Sequence, residues 1–97
     1  MIRNLKVEES KIFVMGKVKN PGSFVWKRRD NLTVFRSIAL AGGFDKYAKP
    51  EATVVLRRTA KGDTIHKVNL IEVIEGGLKS DLALEPNDVV FVPESFL

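Results

Sequence analysis

The 97-residue sequence has no cysteine, one histidine, one tryptophan and one tyrosine, and its apolar runs, such as Val89–Val92, are short. Without cysteine there is no disulfide and no thiolate to act as nucleophile or metal ligand. His66, the sole histidine, cannot by itself build a Cys/His pair or a histidine-based metal site. The serines lack a G-x-S-x-G context, and Ser37 falls inside a helical pattern. The acids are scattered among turns and caps. No catalytic residue, metal ligand or cofactor is therefore expected, and the chain is not expected to be an enzyme. A spanning helix needs about 20 apolar residues, so no direct membrane insertion is expected. Met1-Ile2-Arg3-Asn4 leads into no apolar stretch of the kind a secretion signal carries.

What is present is a mixed, moderately apolar composition (44% hydrophobic, six phenylalanines) that suits one small domain with a single core. The net charge of +4 is unevenly spread. Residues 1–30 carry eight Lys/Arg against three acids, residues 31–77 seven against five, and residues 78–97 one against four. A basic front and an acidic tail fit a module that meets its own copies head to tail; plain solvated charge is the alternative.

Periodicity places the elements. Lys11–Val18 reads as a strand, with Ile12, Val14 and Val18 on one face and Phe13 and Met15 on the other. Asn20-Pro21-Gly22 is turn chemistry, and Ser23–Trp26 runs back as the partner strand. Thr33 can cap a helix carrying Val34, Ile38 and Ala41, which Gly42-Gly43 ends. Thr53–Arg58 and Thr64–Val68 form a hairpin about Lys61-Gly62-Asp63. Asn69 caps a shorter helix with Glu72 as its capping-box partner, stopped at Gly76-Gly77. Glu85-Pro86-Asn87-Asp88 turns the chain into Val89–Val92, which is apolar on both faces as a doubly covered central strand would be. The expected core includes Val14, Val18, Phe24, Ile38, Leu56 and Phe91. Residues 1–10 read as a lead-in or the remnant of a preceding domain, and 11–97 as the domain itself.

The motif G-x-V-x-N-P-G (Gly16, Val18, Asn20, Pro21, Gly22) is followed by A-L-A-G-G at Ala39–Gly43. Further on come V-N-L at Val68–Leu70, Glu75-Gly76, and L-x-P-x-D-x-V-x-V-P-E from Leu84 to Glu94. In order and spacing these resemble the soluble-ligand-binding β-grasp (SLBB) domain, in particular the version in bacterial polysaccharide export proteins. The resemblance covers roughly residues 10–97. It implies an α+β, β-grasp fold: a mixed five-stranded sheet packed on one main helix, with a second short helix. It also implies a non-enzymatic periplasmic module of an outer-membrane capsule or exopolysaccharide exporter, scaffolding a ring of copies of the parent protein and contacting saccharide. The chain would then be a piece of a longer exported protein. In isolation it would be a monomer or weak dimer. The alternative is a soluble ligand- or carbohydrate-binding sensor domain of another envelope or DNA-uptake protein.

Two basic clusters are candidate ligand contacts. Trp26 with Lys27, Arg28 and Arg29 could stack on a sugar ring and hold an acidic polymer; against this, Trp26 shares a strand face with Phe24, which suits a core residue. Arg57 and Arg58, with Lys61 and Lys67, form the second. Nucleic acid would require exposed aromatics between such patches, and the phenylalanines sit at apolar strand or helix positions, so no nucleic-acid partner is expected. Asn20, Pro21, Gly22, Gly42 and Gly43 are structural. Gly42-Gly43 and Gly76-Gly77 follow helices, whereas a phosphate cradle precedes one.

Overall fold

The alternation along residues 10–14 produces a strand whose even positions are buried: Ser10, Ile12 and Val14 face inward, while Lys11 and Met15 face out. The computed structural model describes residues 9–96. Its elements are β1 (Glu9–Gly16), β2 (Gly22–Lys27), α1 (Val34–Leu40), β3 (Thr53–Thr59), β4 (Gly62–Val68), α2 (Leu70–Gly76) and β5 (Val89–Val92). The sheet order is β2-β1-β5-β3-β4. β1 runs parallel to β5 and every other pairing is antiparallel. This is the expected mixed β-grasp sheet, with the last strand in its middle. The two helices differ from expectation in being equal, at seven residues each.

Both helix caps form as their residue types dictate. The Thr33 hydroxyl accepts from Arg36 N–H at 3.3 Å. Asn69 Oδ1 accepts from Ile71 N–H at 3.0 Å and Glu72 N–H at 3.2 Å. The reciprocal bond from Asn69 N–H to the Glu72 carboxylate, expected of a capping box, is absent among the described residues.

The core joins Ile12 and Val14 of β1, Val55 of β3, Val90 and Val92 of β5, Val34 and Ile38 of α1, and Leu70 and Val73 of α2. Burying such side chains stabilises by roughly 1.5–3 kcal/mol each. Three expected core positions differ. Leu56 and Phe91 are 41% and 40% exposed, and Phe24 is only half-buried. In β3 and β5 the inward phase belongs to Val55, Val90 and Val92, so their neighbours Leu56 and Phe91 fall on the opposite face. The central strand is thus covered on one face, not both.

The first strand also stops two residues early, at Gly16. Gly16 has φ +92°, and a Cβ there would penetrate the carbonyl oxygen of Val92. Only glycine lets β1 leave the sheet so close to β5. Val18 is buried nonetheless, through an antiparallel bridge with Phe44. Residues 17–21 make a connection wider than a tight turn, and Gly22 already begins β2. The A-G-G end of α1 closes on this connection: Asn20 N–H donates to Ala41 O (2.8 Å) and Lys19 N–H to Gly43 O (3.1 Å). A Cβ on Gly42 (φ +85°) would lie 2.6 Å from Asn20 Nδ2. The two glycine motifs are halves of one contact. Residues 1–8 of the expected lead-in lie outside the described residues, whereas Glu9 and Ser10 belong to β1.

Candidate functional site

The first basic cluster is split by strand alternation. Trp26 points inward and is 9% exposed, packed in the core and out of reach of a polymer. Its indole Nε1–H has no acceptor among the described residues. Lys27 ends β2 on the outer face, and Arg28 and Arg29 form an exposed 3-10 turn with Asp30. Asn31 follows in the left-handed region (φ 52°), its N–H returning to Arg28 O at 3.3 Å. Neither arginine pairs with a described acid.

This turn borders a groove of about 400 Å³ lined by Asp30, Asn31, Thr33, Arg36, Leu78, Asp81 and Ala83. Asp81 Oδ1 is already engaged by the N–H groups of Phe35 (3.1 Å) and Leu82 (2.9 Å), which hold the C-terminal segment against the start of α1. The hydroxyl, amide and guanidinium of Thr33, Asn31 and Arg36 remain to face the groove, together with the carboxylate of Asp30. Asn31 and Arg36 were not singled out from sequence. They adjoin Arg28 and Arg29 through the local Asn31 N–H···O Arg28 bond and the Thr33 cap of α1, whereas the far wall of the groove is brought in by the long-range Leu84 N–H···O Leu32 bond of 2.9 Å, which has no local signature.

The second cluster is divided between the two sheet faces. Arg57 lies on the core side, its side chain only 15% exposed. Its Nε and Nη2 donate to Asp88 at 3.1 and 2.8 Å, Nη2 also donates to Ala83 O at 3.1 Å, and Nη1 sits 3.6 Å from Glu85. Asp88 is 1% exposed and also accepts from Glu85 N–H at 2.8 Å. The hydrogen bond that Arg57 donates to Asp88 raises the pKa of the guanidinium above its ordinary value, opposed by burial and aided by the charges of Asp88 and Glu85. Arg57 is thus a structural clasp holding the turn before β5. Arg58 points out, 3.4 Å from Asp63, with both side chains well solvated. Lys67 shares that outer face.

His66 is half-buried, its Nε2 3.1 Å from the Thr64 hydroxyl. The buried hydroxyls of Ser37 and Thr53 donate to Val34 O and Pro50 O. No group of three or more His, Cys, Asp or Glu able to hold a metal ion occurs among the described residues. Nor is any described helix long and apolar enough to cross a membrane.

A mixed sheet with one covered face, the buried side chains of Ser37, Thr53 and Asp88 turned to structural bonds and its grooves open at the surface, has the build of a β-grasp binding module. The SLBB domain family model matches residues 10–92, and the chain belongs to that family, a family of ligand-binding domains found in extracellular or periplasmic proteins. No curated protein matches the chain.

Proposed function

We propose that this chain is a non-enzymatic module of an envelope polysaccharide export protein, periplasmic within an outer-membrane assembly. In this reading it scaffolds a ring of parent subunits and contacts the passing polymer. The observation that carries the reading is the Arg28-Arg29 turn, without an ion-pair partner among the described residues, beside the groove that holds Asn31, Thr33 and Arg36. Guanidinium groups suit the carboxylates of an acidic polysaccharide, and short polar side chains suit its hydroxyls. The contact is shallow and solvated, as a surface that must release a moving chain should be.

The test is titration of the protein with a soluble acidic polysaccharide such as alginate at low salt. Binding should weaken as ionic strength rises, because exposed charges are screened over about 8–10 Å at physiological strength. Arg28→Glu with Arg29→Glu should weaken it roughly tenfold without unfolding the domain. Equal binding by that variant would contradict the reading.

A further inference from the structure

The uncovered face of the sheet carries apolar side chains on all five strands, on β2 through Val25 alone. One row of cross-strand neighbours runs Ile65, Leu56, Val89 and Phe13, ending at Ser23 of β2. A second runs Val54, Phe91 and Met15, with Lys67 at its end. Ile65, Met15, Leu56 and Phe91 are each 40–65% exposed. Lys11, Lys27, Arg58 and Lys67 also occupy this face, against only Glu9 and Asp63, and Asp63 is held by Arg58. A contiguous apolar face with a basic margin is a docking surface.

The opposite side of the molecule carries a second unpartnered surface. α2 buries Leu70 and Val73, yet its outer stripe is also apolar: Ile71, Ile74 and, beyond its end, Leu78, the last two 56% and 64% exposed. Glu72 and Glu75 flank the helical part of that stripe, exposed and without a described ion-pair partner, while Lys79 follows Leu78 at its far end. A helix apolar on both sides has a second surface to cover. The acidic tail offers no substitute: Asp88 and Glu85 hold Arg57, Glu94 lies 3.9 Å from Lys17, and Asp81 is tied to the start of α1.

We infer that the uncovered sheet face of one copy receives the outer face of α2 from a second copy of this chain. Both surfaces are apolar at the centre, and their charges are opposite. Because they lie on opposite sides of the domain, one molecule cannot satisfy both itself. Two sheet faces meeting each other would instead bring Lys11, Lys27 and Lys67 against their like. The contact is heterologous, so it propagates from copy to copy and closes into a ring where the rotation permits. This inference builds on the oligomer-scaffold reading above and supplies its surfaces.

The experiment is sedimentation of the 97-residue chain up to millimolar concentration, with variants Leu56→Asp on the sheet and Ile74→Lys on α2. Both positions are exposed, and retained circular dichroism confirms folding; Ile65→Asp and Ile71→Lys repeat the test at neighbouring sites. Wild type should rise above its 10.9 kDa monomer mass with concentration. Each variant alone should stay monomeric. Their mixture should form dimers and nothing larger, because one intact surface of each kind remains. Self-association of the Ile74→Lys variant alone would mean sheet-to-sheet packing, and a strictly monomeric wild type would mean no contact between copies; either overturns the inference. Alginate binding by the same variants reads the functional proposal separately. Retained binding with lost association leaves polymer contact standing, and lost binding by wild type fails that proposal whatever the sedimentation shows.

Discussion

Replacing Asp88 by alanine should cost this small domain a large part of its stability. The carboxylate is 1% exposed and receives three strong hydrogen bonds: Arg57 Nε at 3.1 Å, Arg57 Nη2 at 2.8 Å and Glu85 N–H at 2.8 Å. Its removal strands a guanidinium on a side chain only 15% exposed. Breaking one partner of a buried pair costs about 3–5 kcal/mol. The lower end applies, because Arg57 keeps the Ala83 carbonyl at 3.1 Å and the solvated Glu85 at 3.6 Å. The lost Glu85 N–H bond adds about 1 kcal/mol. A total of ~4 kcal/mol is a substantial share of the roughly 5–15 kcal/mol typical of a folded domain. Urea unfolding should show it as a lower midpoint at unchanged slope. The double variant Arg57→Met with Asp88→Leu should cost at least about 1 kcal/mol less than the two single changes together, the signature of direct coupling. Loss of less than about 0.5 kcal/mol in Asp88→Ala would refute the clasp, since that is the scale of the solvated Arg58–Asp63 pair. Because the folded-state pKa of Arg57 is raised, its share of stability is present in full below the unfolded-state value. It is lost only as strongly alkaline pH passes through the folded one.

Gly16→Ala should destabilise by more than about 1 kcal/mol, through both the positive φ and the overlap with Val92, and thermal unfolding measures it. Ile38→Ala should cost about 2–5 kcal/mol in the same assay, as its side chain is 3% exposed among core residues. Trp26→Phe should leave alginate affinity unchanged within error, because the indole is buried; a clear loss would return Trp26 to the binding surface. His66→Gln should preserve binding as well, with only a small shift in unfolding midpoint.

The order and type of the elements were readable because local chemistry decides them. Thr33 and Asn69 cap what they were expected to cap, and the apolar phase of β1 matches its burial. Motif order alone indicated the fold, and the reason is now physical: Gly16 admits β5, and Gly42 admits Asn20. What escaped was phase in short apolar strands. Thr53–Arg58 and Val89–Val92 are apolar at consecutive positions, so periodicity cannot say whether Leu56 or Val55, Phe91 or Val90, faces the core. The same ambiguity concealed the outer apolar face and put Arg57 beside Arg58 as one patch, although neighbouring residues of a strand point to opposite sides. The clasp to Asp88 spans 31 residues and the groove beside Arg28 joins two distant segments, so neither had a local signal to read.

Polymer contact at the Arg28-Arg29 turn is tested by an amide chemical-shift map of the labelled protein titrated with alginate at low salt. Perturbations should be confined to Lys27–Arg29, Asn31, Thr33 and Arg36, fading as salt is added, with Arg57 and the amides of β5 unmoved. Shifts centred on Arg57–Lys61, or none at all, would contradict it.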